Sequence, residues 1–173
     1  GNTALPNPST IRIGLSHRGE VILHQGATDI GQGSNTVIAQ IAAEALGLPL
    51  SAFRLIGPDT ALTPDAGKTS ASRQTFVSGR AAKAAAEVLR AAILLRANAG
   101  QGATLTLDGP RLLIRDGATT GIDLASLPPD RFGHALSAEE TYDPPTSRLD
   151  ADGQGAPYAL YGYGAQMVEL DVD

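Results

Sequence analysis

Val21-Ile22-Leu23-His24-Gln25-Gly26-Ala27-Thr28-Asp29-Ile30-Gly31-Gln32-Gly33-Ser34-Asn35-Thr36-Val37-Ile38 passes from an apolar extended stretch through a glycine-bearing loop into a helix. Upstream, Ile11-Arg12-Ile13-Gly14-Leu15 alternates and His17-Arg18-Gly19-Glu20 reads as a turn, so residues 11–24 predict a β-hairpin. Downstream, Ser34 or Asn35 offers an N-cap. Val37, Ile38, Ile41, Ala42, Ala45 and Leu46 recur at helical spacing, and Gly47 and Pro49 end the helix.

Further along, a strand is expected over 53–57 and a polar loop over 58–68. A second, Ala-rich helix starts near 72–75 and runs to about residue 98. Its apolar stripe is read as Val77, Ala81, Val88, Leu89, Ala92 and Leu95. Gly79 inside it costs about 1 kcal/mol relative to Ala, which points to close packing against another backbone. Residues 104–107 and 112–114 flank Asp108-Gly109-Pro110 as a second hairpin. Residues 122–127 read as one helical turn, 135–142 as a strand, 143–157 as loop, and 161–173 as a long strand. Strands do not alternate regularly with helices. The pattern predicts an α+β fold with two main helices packed on a mixed or antiparallel sheet and hairpins. It is taken as a single unit, 1–173, whose parts are 1–100 and 101–173.

The chain has 173 residues, 42% of them hydrophobic, enough for one packed core. Its longest apolar runs fall short of a bilayer span, so no membrane partner is expected. With no Cys, this chain holds no disulfide, thiolate metal site, iron–sulfur ligand or cysteine nucleophile. Residues 1–100 carry nine Lys/Arg against six Asp/Glu, and residues 101–173 carry four against twelve. The first part therefore suits a small anionic ligand, but no dense basic patch suggests nucleic acid. Acids that merely keep loops solvated explain the charge equally well.

Two segments carry chemistry. Gly31-Gln32-Gly33, just before a helix, lets backbone approach a ligand while N–H groups favour an anion; a tight turn without a ligand reads the same way. Gly67-Lys68-Thr69-Ser70-Ala71-Ser72-Arg73-Gln74-Thr75 combines small residues, hydroxyls and a guanidinium at a helix start. Arg73 can fork onto a phosphate and Gln74 can read a polar ring edge. The competing reading is an N-cap by Ser70 or Ser72 with Arg73 solvated. Neither segment has dinucleotide-fold or P-loop spacing. His17, His24 and His134 lack metal-ligand spacing, so no metal ligands are expected.

Taken together, Asp29-Ile30-Gly31-Gln32-Gly33, Thr69-Ser70-Ala71-Ser72-Arg73-Gln74-Thr75, and Tyr161-Gly162-Tyr163-Gly164-Ala165-Gln166 followed by Val168-Glu169-Leu170-Asp171-Val172-Asp173 resemble the xanthine dehydrogenase/aldehyde oxidase family of molybdenum hydroxylases. The resemblance covers most of the chain and is weakest over 99–130. It implies a molybdenum–molybdopterin cofactor, in its cytosine dinucleotide form in many bacterial members. Gly31, Gln32 and Gly33 would approach the pterin side. Ser70, Ala71 and Ser72 would present N–H and hydroxyl groups, and Arg73 and Gln74 would lie near the phosphate or nucleotide end. The implied reaction hydroxylates an aldehyde or N-heterocycle with oxygen from water, assisted by a glutamate in a Gly-Glu motif. That motif has no match here, so no catalytic residue is assigned. The chain is expected to be an internal piece of the molybdenum-binding subunit, inactive alone. Its partners would be the remainder of that subunit, iron–sulfur and flavin subunits or domains carrying the clusters and FAD, and a small-molecule substrate. A cytoplasmic location is expected, with the periplasm as the alternative. The other functional class left open is a non-catalytic phosphate- or nucleotide-binding or assembly domain.

Overall fold

β-Branched and leucine-rich stretches at the N-terminus form the expected hairpin. A computed structural model describes residues 5–158 and 165–172. In it β1 (Ser9–Ser16) pairs antiparallel with β2 (Val21–Gln25), Ile13 opposite Leu23. The chain then enters α1 (Ser34–Leu46), returns through a 3-10 turn (Leu50–Ala52), and lays β3 (Phe53–Ile56) parallel to β2. A long helix, α2 (Gln74–Ala97), ends at Asn98 in the left-handed region. Three antiparallel strands follow: β4 (Thr104–Asp108), β5 (Arg111–Asp116) and β6 (Ala118–Asp123). Finally β7 (His134–Tyr142) returns to pair antiparallel with β1. The strand order is β3-β2-β1-β7 in a mixed sheet and β4-β5-β6 in a smaller one, an α+β arrangement.

Alternation sorts β1 into two faces. Ile11, Ile13 and Leu15 are fully buried and belong to one core cluster with Ile38, Ala42 and Leu46 of α1 and Ala81, Ala85, Leu89 and Ile93 of α2. Leu105, Leu112, Ile114 and Ile122 of the small sheet join that same cluster. Each fully buried Leu or Ile contributes roughly 1.5–3 kcal/mol of transfer free energy, so this shared core ties the two sheets together. On the opposite face of the large sheet, Arg12 stands in register with His24 on one side and Glu139 on the other.

Several local expectations are corrected. The buried line of α2 is Val77, Ala81, Ala85, Leu89 and Ile93, whereas Val88 is half exposed and Leu95 is 83% exposed. A step of four residues stays on one helical face, and Val88, Leu95 and the exposed Ala92 of the expected stripe lie off it. A Cβ on Gly79 would lie 2.8 Å from Ile41 Cδ1, so the close neighbour is a side chain of α1 and not a backbone. Ile122 completes β6, and only Leu124–Ser126 forms a 3-10 turn, opened by the Asp123 carboxylate accepting from Ala125 N–H at 3.1 Å. Of the long C-terminal strand, residues 161–164 and 173 lie outside the described residues. Residues 165–172 form no regular element, and Met167, Val168, Leu170 and Val172 are exposed. Alternation makes a strand only where a neighbouring ladder accepts its hydrogen bonds.

Candidate functional site

The two loops picked out by composition meet. The loop after β2 and the loop before α2 line one pocket of about 370 Å³, formed by Ile30, Gln32 and the run from Thr69 to Thr75. Thr69 Oγ1 donates to the Thr28 carbonyl at 2.7 Å and so ties one loop to the other. Ile30 is 72% exposed at the rim.

Within the first loop, the Asp29 carboxylate does what an external anion was expected to do. Its oxygens accept from the N–H groups of Gly31 (2.9 Å), Gly33 (3.3 Å) and Asn35 (3.1 Å). The N–H groups of Asn35 and then Gly31 lower its pKa below the ordinary carboxylate value. Gly31 and Gly33 have φ of +103° and +78°, conformations that L side chains rarely adopt. The N-cap of α1 is therefore Gly33, with no side-chain cap bond from the helix's own Ser34 or Asn35. Gln32 Oε1 accepts from Ile30 N–H at 2.7 Å, and its Nε2 donates to Ser34 Oγ at 3.0 Å, which leaves the amide at the pocket wall. The expectation of free N–H groups at this helix start is thus corrected, because a carboxylate from the same chain already fills them.

The second loop behaves differently. Among the described residues no side chain caps α2, so none of them competes with a ligand or water for the N–H groups of its first turn. Neither Ser70 nor Ser72 caps it; the N-cap is Arg73, in right-handed helical geometry. The two residues before it, Ala71 and Ser72, both hold φ of +55°, a conformation that costs of order 1–3 kcal/mol each in a non-Gly residue. A left-handed residue followed by a right-handed one makes successive N–H groups converge into a concavity suited to an anion. Ser70, Ser72 and Thr75 add hydroxyls to the same wall.

The side chains of Arg73 and Gln74 point elsewhere than composition suggested. Arg73 is 1% exposed. Its Nε donates to Asn7 Oδ1 at 2.5 Å, one terminal nitrogen donates to the carbonyls of Ala66 and Lys68, and the other donates to Asn7 O at 3.0 Å and Pro8 O at 2.7 Å. The expected fork onto a phosphate therefore meets a guanidinium already engaged by the backbone. Gln74 Nε2 donates to Lys68 O at 3.0 Å, while its Oε1 accepts from the Ser78 hydroxyl, which in turn accepts from Ser9. Gln74 braces the loop from behind.

A polar cluster on the far face of the sheet was not assembled by sequence reading. His24 Nε2 lies 3.0 Å from His134 Nε2, and His24 Nδ1 lies 2.9 Å from the Leu62 carbonyl. That carbonyl only accepts, so Nδ1 carries the hydrogen and Nε2 accepts from His134. His134 Nδ1 faces Asp130 Oδ2 at 3.2 Å. The Arg12 guanidinium stacks 3.8 Å from the Phe132 ring centroid and pairs with Glu139. Among the described residues no group of three or more His, Cys, Asp or Glu is placed to hold a metal ion. Hairpin register, which sets Arg12 beside His24, is the signal that would have drawn attention to this face.

A family model described as "Molybdopterin cofactor-binding domain" matches residues 1–173. The putative xanthine dehydrogenase molybdenum-binding subunit XdhA of Escherichia coli is 33% identical over 94% of this chain and 21% of that protein. Subunit gamma of the 6-hydroxypseudooxynicotine dehydrogenase complex of Paenarthrobacter nicotinovorans is 31% identical over 92% of this chain and 20% of that protein. Among solved structures, CO dehydrogenase from Oligotropha carboxidovorans superposes with a TM-score of 0.58 at 27% identity, covering 79% of this chain and 18% of the other. The chain spans about a fifth of the length of these relatives.

Proposed function

We propose, since this chain belongs to the molybdopterin cofactor-binding domain family of the xanthine dehydrogenases and aldehyde oxidases, that the pocket between its two loops holds the phosphate-bearing part of a molybdopterin cofactor. One observation carries this reading. Two loops about forty residues apart, both rich in glycine or hydroxyl residues, converge on one pocket in a chain matched along its whole length by the family model. The donor set fits the group: the N–H groups at the start of α2 and the hydroxyls of Ser70, Ser72 and Thr75 are neutral donors suited to phosphate oxygens and polar ring edges.

Each residue has a task in this reading. The strained turn before α2 brings the Ser72 backbone to the pocket, and Gln32, its amide bonded within its own loop, shapes the opposite wall. Gly31 and Gly33 keep the first loop free of side chains where the ligand approaches, with open space beyond the positions of their absent Cβ atoms. Arg73 and Gln74 serve from behind. When bound, the cofactor supplies the molybdenum at which an aldehyde or N-heterocycle is hydroxylated with oxygen from water. We assign it the cytosine dinucleotide form, whose second phosphate and base extend the surface that the Ser70–Thr75 wall can grip. The working enzyme is read as a molybdenum hydroxylase with iron–sulfur and flavin partners, in keeping with relatives named as subunits of multi-subunit dehydrogenases.

The test is cofactor content. In the full-length protein, Gln32→Ala combined with Ser70→Ala should lower bound molybdenum and acid-released pterin several-fold while leaving the circular dichroism spectrum unchanged. Undiminished molybdenum and pterin would refute the site. Release of CMP on acid hydrolysis of the wild type identifies the dinucleotide form; pterin without nucleotide overturns that part.

A further inference from the structure

Behind the proposed cofactor pocket lies a buried cation with no carboxylate partner. Among the described residues no acid lies within ion-pair reach of Arg73, and Asp65 and Asp143 act on it only from a distance. Burial lowers its pKa, yet its donors are satisfied by oxygens drawn from two places: Asn7 and Pro8 before β1, and Ala66 and Lys68 in the loop. Gly67 makes the close wrap feasible. A Cβ there would lie 2.7 Å from a guanidinium nitrogen, and its φ of +68° suits only glycine well.

The orientation of these carbonyls has a consequence for the pocket. The described chain has no cis peptide, and in a trans peptide the C=O and the following N–H point in opposite directions. The Lys68 carbonyl turns inward to Arg73 and Gln74, so the Thr69 N–H turns outward, and Thr69 lines the pocket. An anion site made of backbone donors fails if carbonyls of the same loop rotate into it. The guanidinium collects two of those carbonyls and keeps them away.

We propose that Arg73 is a positioning residue, which binds no ligand itself but gathers the Ala66 and Lys68 carbonyls so that the Thr69 N–H faces the anion. The proposal rests on the cofactor-pocket reading for the identity of the anion, though not for the clamp. Asn7 is part of the same device, although it lies outside the pocket lining. A lysine at position 73 keeps the charge but cannot span the four residues whose oxygens Arg73 bonds.

The experiment uses cofactor-free full-length protein with inorganic pyrophosphate as the probe. Arg73→Lys should weaken pyrophosphate binding about tenfold or more by titration calorimetry, the order of one charge-assisted hydrogen bond, and Asn7→Ala should weaken it about three-fold. Hydrogen exchange at residues 67–72 should quicken in both variants. Arg73 acting only as a stabiliser would lower the melting temperature while leaving the affinity of the folded protein unchanged, and that overturns the proposal. Loss of affinity in Arg73→Lys with unchanged exchange and a normal Asn7→Ala also overturns it, because direct ligation then explains the loss. If the wild type does not bind pyrophosphate yet exchange quickens in both variants, the clamp stands and the pocket reading falls. Should Arg73→Lys fail to fold, Asn7→Ala decides by the same two measurements.

Discussion

Lowering the pH from 7 to 4 should destabilise this protein mainly through His24. The ring is 2% exposed, and burial first, then the neighbouring His134, lowers its pKa from 6.5 to about 4. Arg12 and Arg54 push the same way, and the bond to Leu62 opposes them. Between these two values the unfolded chain takes up a proton at His24 that the folded chain refuses. Stability is therefore full above about pH 6.5 and declines as pH falls toward 4. A separation of about 2.5 units at 1.36 kcal/mol per unit amounts to roughly 3 kcal/mol, a large share of an ordinary domain's stability. Protonation would also place a second N–H at His24 Nε2, against the N–H of His134, and break the bridge from β2 to β7. Asp130 acts in a separate window. Burial works to raise its carboxyl, but bonds from His134 N–H, the Ser137 hydroxyl and Phe132 N–H hold it at about 2, so its contribution is lost only as pH falls from 3.8. The assay is urea unfolding at pH 7, 5.5 and 4.5 for wild type and His24→Gln, whose amide can donate to Leu62 and accept from His134 without titrating. The wild type should lose about 2 kcal/mol more than the variant across this range, the part of the full difference reached by pH 4.5. Parallel pH profiles for the two would refute the reasoning.

Two more outcomes follow from close contacts. A Cβ at Gly14 would sit 2.4 Å from His134 Cγ, so Gly14→Ala must displace a rigid buried ring and should cost about 2–3 kcal/mol; an unchanged denaturation midpoint contradicts this. Asp29→Ala removes the acceptor for three N–H groups, and amide exchange at Gly31, Gly33 and Asn35 should accelerate while α2 is unaffected; unaltered exchange at these three amides would show that Asp29 is not their cap.

Local signals in the sequence were strong wherever one segment decided its own conformation. The hairpin of β1 and β2, both helices and the β4–β5 hairpin were legible because alternation, helical spacing, and Gly or Pro stops agreed. β6 was missed because only Ile122 in it is buried, which leaves no alternation to read. The candidate site was legible as two loops of suitable composition. What each side chain did there was not, since Arg73 and Gln74 look alike in sequence whether they face a ligand or the protein.

The order of elements as far as the β4–β5 hairpin, the glycine stops, the α+β class and the two ligand-suited loops were determined by the sequence alone, because backbone preference and hydrophobic period act over a few residues. Only the tertiary structure decided that Asp29 fills the start of α1 while no described side chain caps α2, that Arg73 is buried among carbonyls contributed by residues up to 66 positions away, and that His24 meets His134 across 110 positions. The physical reason is common to all three. Burial removes water as the alternative partner, so a polar side chain takes whichever donor or acceptor the fold brings to it, and sequence spacing does not specify that neighbour.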